Sequence, residues 1–251
     1  MSDSLISVIV PLYNYSKFIG DCIRSTLNQN HQNFEMIIVD DCSSDNSLSV
    51  AKTFKDNRIT VLSTKKNSGY SVAKNHGIRK SKGKFITCLD ADDMFTKNSL
   101  SLRLSVFDKD KTVEFVDGRA IDVFNDVSLE QCYLIDLDKA KRAICIIHAQ
   151  GVMVRRSIYQ RFGLYDENLK SRADKEMWWR LFGRGCAGLH LVKRVRLKDD
   201  VAYYRLHKNS MMKFRQKNKK YNNKVTNLLE KAYQNRTQNG INKDNTTFLE
   251  T

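Results

Sequence analysis

With 251 residues, 41% of them hydrophobic, the chain has enough apolar material for one large α/β domain or two small ones. A formal charge of +15 calls for a polyanionic partner, which on charge alone is nucleic acid, an anionic membrane face or a phosphorylated substrate. No apolar run near the start approaches bilayer length, and Cys22, Cys42, Cys88, Cys132, Cys145 and Cys186 form no CxxC pair; the expectation is a cytoplasmic protein without a zinc site.

In chain order, Ile6 to Leu12 reads as a buried strand that leaves its sheet at Pro11. Ser16 is placed to cap a helix whose Phe18, Ile19, Cys22, Ile23 and Leu27 share one face. Glu35 to Val39 is a second strand, ending in Asp40-Asp41-Cys42-Ser43-Ser44-Asp45. Leu48, Ala51 and Phe54 mark the next helix, and Ile59, Val61 and Leu62 a third strand. Asn67-Ser68-Gly69 is turn chemistry, Ser71 is the expected cap of a helix through Lys80, and Phe85 to Leu89 is a fourth strand. This alternation predicts an α/β fold, a Rossmann-like and mainly parallel sheet flanked by helices. Further on, helices are expected over Ser99 to Phe107, Ser157 to Phe162 and Asp174 to Phe182, with strands at Val113 to Val116 and Val201 to Leu206; residues 118–150 give no assignable pattern.

In open sheets of this kind ligands bind beyond the carboxyl ends of the strands. The polar clusters Pro11-Leu12-Tyr13-Asn14, Asp40-Asp41 and Asp90-Ala91-Asp92-Asp93 all follow strand ends. Three carboxylates in four residues repel unless a cation compensates them, and Mg²⁺ or Mn²⁺ accepts such oxygen ligands while keeping positions for phosphate oxygens. An isolated acidic turn more often only caps a helix; its company here favours a site.

These segments, with Asn67-Ser68-Gly69, Ala73-Lys74-Asn75, Arg155-Arg156, Gly163-Leu164-Tyr165-Asp166-Glu167, Asp174 with Arg180, and Tyr204-Arg205-Leu206-His207-Lys208-Asn209-Ser210, resemble the family 2 glycosyltransferases in order and spacing over roughly residues 5 to 210. The resemblance implies a GT-A fold over 1–210, with 1–98 binding the nucleotide and 99–210 the acceptor, and a basic helical tail over 211–251. It implies an inverting, metal-dependent enzyme moving a hexose or N-acetylhexosamine from a nucleotide diphosphate-sugar, most simply a UDP-sugar, to an acceptor hydroxyl in polysaccharide or glycan biosynthesis. Pro11, Tyr13, Asn14 and Asp41 would line the base pocket, with Lys74, standing where many relatives have arginine, near base or phosphates. Asp90 would approach ribose or sugar hydroxyls, Ala91 would lie against the nucleotide, and Asp92 and His207 would bind Mn²⁺ or Mg²⁺. Asp174 matches the general base, although Ala173 replaces the usual preceding glutamate. Asp93, Arg205, Glu176 and Trp178 are supporting candidates: Asp93 beside the metal, Arg205 on phosphate, Glu176 as the competing carboxylate, and Trp178 as a sugar platform or a core aromatic.

Beyond Ser210 the resemblance fades. Val225, Leu228, Leu229, Ala232 and Tyr233 make one apolar helical face in a lysine-rich tail, which suits packing on its own domain or peripheral contact with an anionic inner membrane face carrying a lipid-linked acceptor. No specific nucleic acid is expected. The competing readings are a basic nucleic-acid-binding protein, a sugar nucleotidyltransferase, which lacks its glycine-rich loop here, and a non-catalytic sugar-nucleotide-binding relative.

Overall fold

The computed structural model describes residues 3–124, 127–136, 138–141, 147–169, 172–183, 191–208, 223, 226–231 and 234. Cys145, Cys186, Asn209, Ser210 and most of the expected tail over 211–251 lie outside them. In chain order the elements are β1 (Ile6–Leu12), α1 (Ile19–Leu27), β2 (Phe34–Asp40), α2 (Ser47–Thr53), β3 (Ile59–Ser63), α3 (Tyr70–Lys80), β4 (Phe85–Cys88), β5 (Met94–Phe95), α4 (Ser99–Lys109), β6 (Phe115–Phe124), α5 (Leu129–Cys132), β7 (Val152–Arg155), α6 (Ser157–Phe162), α7 (Ala173–Phe182) and β8 (Arg194–Leu206); a 3-10 turn, Ala149–Gly151, leads into β7.

One eight-stranded sheet runs in the order β3-β2-β1-β4-β7-β6-β8-β5. The β3-β2-β1-β4 part is all parallel, β7 is antiparallel to both β4 and β6, and β6 pairs parallel with β8. Because β7 runs against β4, the turn that precedes it sits at the same edge of the sheet as the end of β4. The loops after β1, β2 and β4 and the Ala149–Gly151 turn therefore share one rim.

Period-two side chains on β1 divide between two cores. Val8 and Val10 pack with α1, α2 and α4, whereas Ile9 packs with α3, α6 and α7. Burial on both faces explains why these strands read as unbroken apolar runs. A smaller cluster joins Met94, Ile121, Val123, Leu129, Cys132 and Tyr203. Buried Arg103 fastens β4 to β7, donating from Nη1 to Thr87 Oγ1 at 2.7 Å and to Val152 O at 3.1 Å.

Several boundaries differ from expectation. Pro11 does not end β1; it stays in register with Val39, and Leu12 with Asp40. Leu89 N–H donates to Ile9 O, so the Ile9 backbone faces β4, and that of Pro11, two residues on, faces the same way just past the end of β4, where its missing N–H has no ladder partner to lose. Ser16 does not cap α1, which starts at Ile19 behind Phe18; its N–H donates to Asp45 at 3.1 Å. Ser71 lies inside α3 with its hydroxyl on Leu169 O, and the cap position belongs to Gly69 at φ 101°, a conformation that favours glycine.

The unassigned stretch begins with β6, far longer than the expected Val113 to Val116, and β8 starts well before Val201. Charged residues hide both strands: buried Asp117 on β6 accepts a bidentate pair from Arg194 on β8, at 2.7 and 2.8 Å. Of the tail, residues 226–231 are helical; Leu229 is fully buried among the α7 side chains and Thr226 accepts a bond from Arg172 at 2.8 Å, so this piece packs on its own domain.

Candidate active site

Two strand-end loops are laced together at the rim. Asn14, at φ 57°, receives Ser44 N–H on its side-chain oxygen at 2.8 Å and donates its own N–H to Ser43 Oγ at 3.0 Å, while Tyr15 N–H reaches Ser47 Oγ at 2.8 Å. Asn14, expected against the nucleotide, thus holds the β1 loop to the β2 loop. Asp41 is buried and accepts from the Thr64 hydroxyl at 2.8 Å, Ser68 N–H at 2.9 Å and Gly69 N–H at 2.6 Å, which ties the turn before α3 to the end of β2. Tyr13 stands 42% exposed beside this group, after buried Pro11, with its ring available for stacking.

Asp90, Asp92 and Asp93 can each bring an oxygen within 4.8 Å of the others'. Asp90 receives the Tyr70 hydroxyl at 2.6 Å and Gln150 Nε2 at 2.7 Å, one on each oxygen. Asp92 meets His207 Nε2 at 2.8 Å, and His207 is boxed by the rings of Phe18 at 4.9 Å and Tyr15 at 5.8 Å. Asp93 receives Arg205 N–H on one oxygen at 2.8 Å; its other oxygen is buried without a partner among the described residues. Ala91 points into the core beneath the turn. Burial, then the Asp92 charge, raises the Asp90 carboxyl to about 6, and the same causes, with Asp90 added, push Asp93 well above the carboxylate range. An all-oxygen cluster short of positive charge, with one orphaned oxygen and an imidazole alongside, fits a hard divalent cation.

Lys74 lies under the rings of Tyr165 and Tyr70, with Nζ 4.3 and 4.9 Å from their centroids. It is 1% exposed, and Nζ has no hydrogen-bond partner among the described residues. Burial opposes its charge, but Cys88, Asp90 and other acidic groups nearby hold its pKa above the usual lysine value. It therefore sits behind Asp90 as a counter-charge rather than out against solvent.

At the start of α7, Asp174 is half-buried, makes no hydrogen bond among the described residues, and lies within electrostatic reach of Asp90, Tyr70 and His148. Three supporting candidates are placed elsewhere. Glu176 is fully buried against Arg180, Oε1 to Nε at 2.7 Å and Oε2 to Nη2 at 2.9 Å, and Arg180 also caps the carbonyls of Phe162 and Leu164; this pair anchors α7 and is out of reach of a substrate. Trp178 is 6% exposed and edge-on to Phe115 at 5.1 Å, a core aromatic with no face open to a sugar. Arg205 is turned inward, donating to Asp92 O at 3.0 Å, Val127 O at 2.6 Å and Asp21 at 3.1 Å; it braces the acidic turn instead of meeting phosphate.

The rim also holds residues that sequence reading passed over. Tyr15 and Tyr70 directly follow two of the strand-end and turn motifs, one after Asn14 and one after Gly69. Gln150 and His148 come from the stretch without a periodic pattern, where no sequence signal marked them.

Residues 7–163 match the family model described as Glycosyl transferase family 2. The putative teichuronic acid biosynthesis glycosyltransferase TuaG of Bacillus subtilis is 31% identical over 217 residues, covering 82% of this chain and 81% of that one. An uncharacterised glycosyltransferase of Rickettsia bellii is 30% identical over 210 residues, covering 80% of this chain but only 30% of its own length. Among solved structures, S. aureus TarS (residues 1-349) in complex with UDP-GlcNAc superposes with a TM-score of 0.65 at 22% identity, over 82% of this chain and 60% of that one. The mannosyltransferase PcManGT of Pyrobaculum calidifontis, in complex with GDP-Man and Mn²⁺, gives 0.62 at 21% identity, over 84% and 59%. The structural likenesses carry the fold, and the sequence match carries the kinship: this chain belongs to glycosyltransferase family 2 and has a GT-A fold.

Proposed function

We propose that the protein transfers a hexose or N-acetylhexosamine from a UDP-sugar to an acceptor hydroxyl with inversion, in the making of a polysaccharide or other glycan. The observation that carries this is the convergence at one rim of the Asp90, Asp92 and Asp93 carboxylates, with Asp174 on another element near enough to raise the Asp90 pKa. TarS bound to UDP-GlcNAc and the naming of TuaG for teichuronic acid biosynthesis support the donor and the pathway class. In this reading residues 1–98 bind donor and 99–210 bind acceptor, a free or lipid-linked glycan, with the basic tail near an anionic membrane surface of the cytoplasm. No helix among the described residues is long and apolar enough to cross a membrane.

Asp92, with His207 and Asp93, would hold Mn²⁺ or Mg²⁺; such a cation supplies positive charge to a departing diphosphate. Tyr13 stacks on the pyrimidine, and Asp41, fixed by its three donors, accepts from the base edge. Lys74 and the Tyr70 hydroxyl steady Asp90 against its neighbours' charge. Asp174 takes the acceptor's proton as the new bond forms, a general-base contribution on the order of a hundredfold to ten-thousandfold. Attack opposite the leaving group inverts the anomeric centre.

Calorimetric titration of UDP, GDP and UDP-sugars, with and without Mn²⁺, tests this directly. Tighter binding of UDP than GDP, strengthened by Mn²⁺, is expected. No affinity for any nucleoside diphosphate under either condition removes the enzymatic reading.

A further inference from the structure

A chain of hydrogen bonds leads from Asp90 to a histidine that the mechanism above does not use. Gln150 Nε2 donates to Asp90 Oδ2 at 2.7 Å, and Gln150 Oε1 is 3.1 Å from His148 Nδ1. Chemistry fixes the polarity of the chain. Gln150 turns its nitrogen toward Asp90 and so its oxygen toward His148; an amide oxygen only accepts, so Nδ1 carries the imidazole proton. Burial lowers the His148 pKa, which keeps the ring neutral, and a neutral ring protonated on Nδ1 has a bare lone pair on Nε2. Although the residue is only 8% exposed, that nitrogen has no hydrogen-bond partner among the described residues. A polar atom held this firmly and left unmatched marks a place for a donor from a ligand.

The support is rigid. The His148 ring packs against Tyr204 with centroids 5.0 Å apart. The turn beneath it is seated tightly on β6, because a Cβ on Gly151 would stand 2.6 Å from Gly118 O. Through Gln150 the ring is bonded to Asp90, and it lies within electrostatic reach of Asp174. If Asp90 is on the nucleotide side of the reaction and Asp174 receives the acceptor's proton, the sugar in transit lies between them, and His148 is tied to the first through Gln150 and feels the charge of the second.

We propose that His148 Nε2 accepts a hydrogen bond from a hydroxyl of the donor's sugar, so that Gln150 and His148 form a sugar-selecting pair. This rests on the donor reading given above and adds to it the residues that distinguish a UDP-sugar from UDP. The test is calorimetry in the presence of MnCl₂ with UDP, UDP-glucose, UDP-galactose and UDP-N-acetylglucosamine. The wild-type protein, His148→Asn and His148→Gln are compared. Asn keeps a donor at the Nδ1 position and removes the acceptor, whereas the Gln amide oxygen reaches toward the Nε2 position. The wild-type protein is expected to bind one UDP-sugar more tightly than UDP. His148→Asn should bind UDP normally and lose roughly fivefold of the added affinity, and His148→Gln should recover part of it. An undiminished sugar increment in His148→Asn overturns the proposal, as does a wild-type protein that gains nothing from any of the sugars. Loss of UDP affinity in both variants assigns His148 to folding and also overturns it. A wild-type protein that binds no UDP defeats the underlying donor reading itself, and the proposal with it.

Discussion

The rim has two parts that use their polar groups in opposite ways. At the ends of β1 and β2, Asn14 and Asp41 are fixed by protein partners, and the loops they join are held before any ligand arrives. At the end of β4 and around it, one Asp93 oxygen, Lys74 Nζ, His148 Nε2 and the Asp174 carboxylate have no hydrogen-bond partner among the described residues. The first part is a finished scaffold suited to a flat base. The second holds unbalanced charge and unmatched atoms; the buried ones, on Asp93 and Lys74, cost stability and are worth retaining where a ligand completes the site.

The sharpest way to break this contrast is Asp92→Ala. It should abolish transfer and also the rise in melting temperature on adding MnCl₂; turnover near the wild-type rate would mean the acidic turn is scaffold too. Next comes Asp174→Asn, expected to lower kcat by about a hundredfold to ten-thousandfold while UDP affinity holds. A normal kcat would transfer the base role elsewhere. Glu176→Ala separates the two carboxylates of α7: stripping the buried Arg180 of its partner should cost about 3–5 kcal/mol in urea unfolding, against little change for Asp174→Asn. Equal, small losses would show that Glu176 is not the anchor.

The smallest effect concerns pH. Asp90 titrates at about 6 in the folded protein, above its value of roughly 3.9 in an unfolded chain. Between those values the native state holds the extra proton, so this group's contribution to stability falls as pH rises from about 4 to 6 and stays low above that. A cation held by the neighbouring Asp92 and Asp93 favours the ionised forms of the whole turn, so the thermal shift produced by MnCl₂ should be larger at pH 7.5 than at pH 5. A larger shift at pH 5 would place the ion away from the acidic turn.

The parallel half was legible because its signals are local. Each of β1 to β4 is a short apolar run ended by polar residues, and the acidic turn directly follows one of them. The other half was not, since β6 and β8 carry Asp117, Arg194 and Arg196, charges that break an apolar pattern and make sense only once the strands lie side by side. Glu176 and Asp174 share the first turn of α7, and nothing along the chain says which of them a neighbouring arginine will claim. Arg205 likewise sits in a motif beside His207 yet points away from the site.

By itself, then, the sequence determined the alternating α/β order, the strand-end placement of Asp41 and the Asp90 to Asp93 turn, and the kinship those motifs carry, because periodicity and short spacing are properties of neighbours in the chain. Only the tertiary structure decided that Pro11 could remain in its strand, that Glu176, Trp178 and Arg205 belong to the packing, and that Gln150 and His148 reach Asp90. Those outcomes depend on where β4 ends, on which groups lose water, and on contacts between residues far apart in sequence.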